Sequence, residues 1–128
     1  MRTLFISLFL LISSICFSQY FYDASGKRVA RFDDERIYDA SGRFIGRIDA
    51  EKIYEASGKF IGRVDGNYLF DGSGKRIGRT DETHLYDAAG KRIGRLDADY
   101  PYDGSGKRVG RADGLTRMQV IIFFYFFY

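Results

Sequence analysis

The chain has 128 residues, which is enough for one domain and too few for two. Its 20 Lys and Arg residues nearly balance its 17 Asp and Glu residues, so a formal charge of only +3 gives no reason to expect nucleic-acid binding. Tyr and Phe make up 17% of the chain, which also has 15 Gly and a single Pro, and this composition favours short strands joined by tight turns.

The first segment has the features of a secretory signal peptide. Arg2 supplies a positive charge, and an almost unbroken apolar run follows from Leu4 to Cys16. The run is too short for a membrane span. We therefore expect residues 1–18 to be removed and residues 19–128 to form an exported domain, in the periplasm or outside the cell.

Lipidation of Cys16 is the alternative fate of this segment. It would leave the mature chain attached to a membrane at the cell envelope. The residue before the cysteine is Ile15, where lipoproteins normally carry Gly, Ala or Ser. With either fate the mature chain has no pair of cysteines, so we expect no disulfide bond.

Residues 22–117 consist of six gap-free copies of one sixteen-residue unit. Each unit opens with an aromatic residue, an acid, a small residue, Ser or Ala, and Gly. Its second half carries Ile or Val at position eight, Gly or Ala at position nine, Arg at position ten and Asp at position twelve. Such strict periodicity is the signature of a repeat architecture. The units begin at Tyr22, Tyr38, Tyr54, Phe70, Tyr86 and Tyr102.

The second unit shows why each copy is predicted to be a β-hairpin. The stretch 40–42 suits a three-residue loop that ends with Gly in the left-handed conformation. Tyr38 then opposes Phe44, and Ile37 opposes Ile45 on the other face. Repetition of this unit predicts an all-β fold, a closed antiparallel barrel of about twelve short strands. The residues at position eight are expected to point into its lumen: Val29, Ile45, Ile61, Ile77, Ile93 and Val109.

The last eleven residues, after Arg117, are apolar and aromatic almost throughout. They are about half the length of a transmembrane helix. Their alternation resembles a final outer-membrane strand, but the repeat strands are about half as long as membrane strands. The third interpretation is a hydrophobic helix at 116–128 through the centre of the barrel. Length favours it, because nine or ten helical residues span the roughly 15 Å height of such short strands. Thr116 or Asp113 is expected to cap the helix.

The units resemble the β-flower repeat proteins, a bacterial group built from hairpin petals around a shallow barrel. The resemblance rests on the aromatic-Asp, Ser-Gly-Lys/Arg and Gly-Arg-x-Asp elements, and it covers residues 22–117. In plan, twelve strands around a hydrophobic C-terminal helix are also similar to the tubby C-terminal domain, although no motif is shared. The β-flower resemblance implies the barrel but no activity, ligand or cofactor.

Motifs that could support catalysis are weak. Ser73-Gly74-Lys75 is followed by Arg76, whereas a phosphate-binding loop needs Ser or Thr there and then a helix. His84, the only histidine, has no His or Cys partner that would complete a metal site or a nucleophilic dyad. We therefore predict a protein that is not an enzyme and that uses no metal or cofactor.

Two sets of basic residues are candidate contacts for anionic partners. In each unit the Arg at position ten and the Asp at position twelve are two residues apart, so they share one face of a strand. They could form ion pairs between hairpins, or a ring of guanidinium groups that binds phosphate or carboxylate: Arg47, Arg63, Arg79, Arg95 and Arg111. The second set follows the turns and could form a basic rim that contacts anionic lipid, glycan or an envelope protein: Lys75, Arg76, Lys91, Arg92, Lys107 and Arg108.

These observations predict a non-enzymatic exported module with a binding or structural role at the cell envelope. The alternative is a membrane-anchored or lipid-binding envelope protein. Such a protein would use the apolar tail, the basic rim or a lipidated Cys16 for its attachment.

Overall fold

The computed structural model describes residues 19–128, so the predicted signal peptide and Cys16 lie outside the described residues. Twelve antiparallel strands precede one C-terminal helix, as the sequence predicts. The elements are β1 (Tyr20–Asp23), β2 (Arg28–Asp33), β3 (Arg36–Asp39), β4 (Phe44–Asp49), β5 (Lys52–Glu55), β6 (Phe60–Asp65), β7 (Tyr68–Asp71), β8 (Arg76–Thr80), β9 (His84–Asp87), β10 (Arg92–Asp97), β11 (Tyr100–Asp103), β12 (Gly110–Asp113) and α1 (Arg117–Phe126).

The strands form one sheet that nearly closes into a barrel. Strands β1 to β11 are neighbours in chain order, and β12 pairs with β1 from the opposite end of the chain. The last seam, between β11 and β12, is held by one bridge from Tyr102 to Arg108. Beside it, the Val109 amide donates to the Pro101 carbonyl at 2.8 Å. Pairing of the two ends of the chain therefore closes the sheet without a covalent link.

Two kinds of turn alternate at the two ends of the barrel. After each odd-numbered strand the predicted loop ending in Gly is present, and in the second unit Gly42 has φ 88° and donates its amide to the Asp39 carbonyl at 3.0 Å. After β2, β4, β6 and β10 the connection is only two residues long. Its first residue has positive φ: Asp34, Ala50, Gly66 and Ala98.

A β-bulge in five of the six hairpins corrects the predicted register. Tyr38 opposes Phe44 as expected, but Ile37 opposes Gly46, so the predicted pair of Ile37 with Ile45 is wrong. Ile45 is the extra residue of the bulge, a position that bends the strand and strengthens its twist. Residues at position eight are therefore only partly buried and pack against the edge of the core. The buried inner wall comes instead from positions eleven and sixteen, including Phe32, Val64, Leu96, Ile37, Ile53, Leu69 and Leu85.

Helix α1 begins with a capping box. The Thr116 hydroxyl accepts from the Gln119 amide at 3.1 Å, and the Gln119 side chain accepts from the Thr116 amide at 2.8 Å. These bonds satisfy backbone donors that the first helical turn otherwise leaves unpaired. The expectation that Thr116 or Asp113 caps the helix is thus met by Thr116. The helical residues, 117–126, lie within the predicted range of 116–128.

The helix contacts strands all around the barrel and therefore lies in its lumen. Its middle residues, 120–123, are buried, and the Phe123 ring packs 4.9 Å from the ring of Phe21 and 6.1 Å from that of Phe32. The aromatic residues that follow lie over position-nine glycines of four successive units. The pairs are Phe124 with Gly94, Tyr125 with Gly78, Phe126 with Gly62 and Phe127 with Gly46.

Candidate functional site

The turns after the odd-numbered strands form a basic rim at one end of the barrel. Positions six and seven of the units contribute ten basic residues to this rim, and all ten are exposed. The six acids at position two lie beside them and are only partly exposed. The basic rim is defined by Lys27, Arg28, Arg43, Lys59, Lys75, Arg76, Lys91, Arg92, Lys107 and Arg108.

The acids of the basic rim are engaged by their own turns. Asp39 Oδ1 accepts from the Ser41 amide at 3.0 Å, the Ser41 hydroxyl at 2.7 Å and the Arg43 amide at 3.0 Å. The Ser41 hydroxyl, followed by the Arg43 amide, lowers the pKa of Asp39. Within residues 19–128, no ion pair joins these acids to the basic side chains of the rim. Arg28, Arg76 and Arg108 stack on the rings of Tyr20, Tyr68 and Tyr100 at 3.8, 5.3 and 5.1 Å, so the other seven basic side chains of the rim are the ones presented to an external anion.

The opposite end of the barrel is acidic. Its turns carry eleven acids but only three basic residues, Arg36, Lys52 and Arg117. The two ends thus give the barrel an axial charge polarity that the small net charge conceals. The acidic rim is defined by Asp33, Asp34, Glu35, Asp49, Glu51, Asp65, Asp81, Glu82, Asp97, Asp99 and Asp113.

The turn after β8 differs from the other turns of the acidic rim and receives the start of α1. Asp81 Oδ1 accepts from the Thr83 and His84 amides at 3.0 and 2.7 Å, and Oδ2 accepts from the Tyr86 hydroxyl at 3.0 Å. The His84 amide, then the Thr83 amide, lowers the pKa of Asp81 to about 2. The Arg117 guanidinium donates to the carbonyls of Asp81 and Glu82, the latter at 2.7 Å through Nη2. This turn therefore anchors the helix to the rim.

The arginines at position ten form a belt on the outer face of the barrel. Each guanidinium stacks on the opening aromatic of the next unit; for Arg47 the distance to the Tyr54 ring centroid is 4.1 Å. The ring of contacts is continuous, because Arg111 on β12 stacks on Tyr22 of β1 at 4.3 Å, where the two ends of the chain pair. The other stacked pairs are Arg31 on Tyr38, Arg63 on Phe70, Arg79 on Tyr86 and Arg95 on Tyr102.

The belt corrects the interpretation of Arg and Asp as ion pairs between hairpins. Arg47 Nη1 lies 3.6 Å from Asp49 Oδ2 on its own strand, and Arg31, Arg63 and Arg95 make the same contact with their own Asp. Cation–π stacking, worth about 0.5–1 kcal/mol at exposed sites, links neighbouring hairpins instead. The two predicted sets of basic residues therefore lie apart, one around the outer wall and one at the basic rim.

Grooves lie between neighbouring units at the basic rim, and the sequence of one unit alone does not predict them. Three of them occupy equivalent places, at the seams of units two and three, three and four, and six and one, with volumes of about 400, 470 and 300 Å³. One wall comes from positions six to eight of one unit. The other comes from positions two to four of the next unit. The residues of both walls recur in the repeat, but the grooves can be predicted only when the register between neighbouring units is known.

The described residues hold few groups for catalysis. His84 Nδ1 lies 2.9 Å from the Thr83 hydroxyl and 3.7 Å from Asp81 Oδ1, so the ring belongs to the turn after β8. Within residues 19–128, no group of three or more His, Cys, Asp or Glu side chains is arranged to hold a metal ion. No helix in this part of the chain is long and apolar enough to cross a membrane.

Fold and surface together define a nearly closed repeat barrel around its own C-terminal helix. The family model described as 5-fold beta-flower protein matches residues 18–128, and the chain belongs to this family. The β-flower repeat family is not a known enzyme family. At the acidic rim, five pairs of neighbouring strands are each joined by a turn. The sixth pair, β12 with β1, is formed by the two ends of the chain. No curated protein and no solved structure matches the chain significantly.

Proposed function

We propose that this protein is an exported, non-catalytic module that binds an acidic glycan of the cell envelope through its basic rim. The observation that carries the proposal is the separation of charge between the two ends of the barrel. Ten exposed basic residues are gathered at one end of the barrel, while their neighbouring acids are engaged by turn amides and hydroxyls. Lys and Arg side chains presented in this way suit carboxylate, sulfate or phosphate groups.

The composition of the rim favours a glycan over a lipid bilayer. Binding in a membrane interface normally requires exposed apolar or aromatic side chains beside the basic ones. The tips of these turns carry Ala, Gly and Ser, and within residues 19–128 Tyr128 is the one large hydrophobic residue that is exposed at this end of the barrel. In the tail, the apolar side chains at 120–123 are packed inside the barrel, and the aromatic side chains at 124–127 are only partly exposed.

The proposal is tested with two charge-matched variants of the mature protein. Lys75→Gln combined with Lys107→Gln removes two charges from the basic rim, and Arg36→Gln combined with Lys52→Gln removes two from the acidic rim. Binding to polygalacturonate is measured by calorimetry at low salt. Each lost contact is worth on the order of 0.5–1 kcal/mol, so the first pair is expected to weaken binding about 5–30-fold. The second pair is expected to bind as the parent does.

Two results would contradict the proposal. Equal weakening by both pairs would show that net charge alone drives binding. Binding to phosphatidylglycerol vesicles without binding to polygalacturonate would identify the rim as a lipid-binding surface. Supporting evidence would be a steep decrease of polygalacturonate affinity with salt in the parent and a shallower decrease in the basic-rim variant.

A further inference from the structure

The grooves at the basic rim share one chemical plan. In the groove between units three and four, Lys59 stands on one wall and the half-buried side chains of Phe60 and Ile61 form an apolar floor. Asp71 and Ser73 of the next unit form the other wall. The groove between units two and three has Arg43 as the cation, Phe44 and Ile45 on the floor, and Asp39, Glu55 and Ser57 as its polar groups. The groove between units six and one has the cations Lys107 and Arg108, with Val109 and Tyr128 as its large apolar side chains, and Asp23, Ser25 and Asp103 as its polar groups. Cations, apolar side chains and polar groups that include carboxylates therefore recur at three of the six seams of the rim.

We propose that these seams are repeated subsites, each of which binds one acidic sugar residue. The inference rests on the proposed function and specifies its ligand. An acidic pyranose presents one anionic group, several hydroxyls and an apolar C–H face on a single ring. A flexible polyanion without such a ring would leave the apolar floor exposed to water. Volumes of about 300–470 Å³ lie at the small end of ligand clefts, as expected for single sugar units.

The contacts follow from the hydrogen bonds already made by the turn. Lys59 pairs with the sugar carboxylate, and the exposed parts of Phe60 and Ile61 cover the C–H face. Asp71 serves its own turn through Oδ1, which accepts from Ser73 and Lys75. Its Oδ2 is then available to accept from a sugar hydroxyl. Recurrence of the subsite favours an oligosaccharide, because the second unit to bind does so at high effective concentration.

The test fills the grooves without changing the charge. Ser57→Trp with Ser73→Trp places bulk in two of the three seams. Ser57→Ala with Ser73→Ala is the matched control, because the fifth unit carries Ala89 at this position. Asn67→Trp places the same bulk on the acidic rim. The probes are tetragalacturonate and tetraglutamate, which carry similar charge but differ in the presence of a ring.

The Trp pair is expected to weaken tetragalacturonate binding by about tenfold and to leave tetraglutamate binding unchanged. The Ala pair and Asn67→Trp are expected to bind both probes as the parent does. Unchanged tetragalacturonate binding by the Trp pair, with the Lys75 and Lys107 variant still weakened, would overturn the subsites and leave the rim function standing. Equal weakening of both probes by the Trp pair would also overturn them.

Amide chemical shifts of the unmodified protein give a second test that does not depend on folding of the Trp variant. Titration with tetragalacturonate is expected to shift the amides of Ile61 and Ser73 and their equivalents in other seams. Shifts confined to the arginine belt or to the acidic rim would contradict the subsites. If tetragalacturonate shifts no amide of the basic rim at all, the proposed function fails together with the subsites.

Discussion

The two ends of the barrel are built from the same units but differ in regularity. At the basic rim all six turns have one length, and each ends in a Gly with φ between 87° and 91°. At the acidic rim four turns have two residues, the turn after β8 has three, and the sixth position leads into α1. The regular end repeats one surface six times. The irregular end distinguishes one unit from the others.

This difference shows how a helix can find one position in a pseudo-symmetric barrel. Six similar units would offer the helix six similar rotations. Arg117 selects the fourth unit by binding the carbonyls of its longer turn. Tyr125 selects the same part of the wall, because its hydroxyl donates to the Tyr86 carbonyl at 2.7 Å. Polar contacts at the irregular end and in the wall therefore break the symmetry that the repeats create.

The largest effect is expected from removing the element that joins the two ends. Deletion of residues 118–128 would leave the inner wall without its partner atoms, and protein interiors do not tolerate large voids. Each buried large apolar side chain contributes roughly 1.5–3 kcal/mol. The truncated protein is expected to be aggregated or molten by near-UV circular dichroism and gel filtration. Removing only Tyr128, which is 63% exposed, is the control and should change the melting curve little. A cooperative, unchanged melting transition in the truncated protein would show that the barrel folds without its C-terminal helix.

The glycine contacts below the basic rim give the next largest effect. A Cβ added at Gly46 would lie 2.5 Å from the Phe127 ring and 2.7 Å from the Tyr54 carbonyl oxygen. Gly46→Ala should therefore destabilise the protein by about 1–3 kcal/mol, as overpacked cores do. In the first unit the equivalent residue is Ala30, which is fully buried. The free energy of unfolding of each Gly→Ala variant at position nine is measured by chemical denaturation. If Gly46→Ala were as stable as the parent, the ring of Phe127 would not require a glycine beneath it.

The anchor at the acidic rim can be tested separately from the packing. Arg117→Ala removes the hydrogen bonds to the turn after β8, and Tyr125→Phe removes the bond to Tyr86. Each variant is expected to remain folded and to melt about 5 °C lower. The double variant should give additional amide resonances, because the helix can then occupy more than one rotation. Lys52→Ala, at another basic residue of the same rim, is the control. A single set of resonances in the double variant would show that ring packing alone fixes the rotation.

The sequence was most informative where the repeat itself carries the structure. The hairpins, the Gly-ended loops, the barrel and the C-terminal helix all follow from period, turn chemistry and length. The predicted pairing of Ile37 with Ile45 was wrong because one extra residue in a strand changes which face the following side chains point to without changing the period of the repeat. The stacking of Arg47 on Tyr54 was missed because it depends on the register between units. The grooves of the rim were missed for the same reason, since their two walls come from two neighbouring units.

The smallest expected effect is a difference in acid sensitivity between the two rims. A carboxyl whose folded pKa is depressed stabilises the fold above its unfolded pKa, and this stability is lost as pH falls towards the folded pKa. The pKa of Asp81 falls from 3.8 to about 2, mainly through the His84 and Thr83 amides. That of Asp39 is also lowered, by the Ser41 hydroxyl first and the Arg43 amide second. The melting temperature of the parent should therefore decline between about pH 5 and pH 2.

Asp81→Asn should reduce this decline more than Asp39→Asn, because Asp39 is one of several equivalent turn acids whereas Asp81 supports the single turn that holds α1. Melting curves of the three proteins at pH 6 and pH 2.5 measure it, and an equal decline in all three would show that the acid response does not arise from these turns.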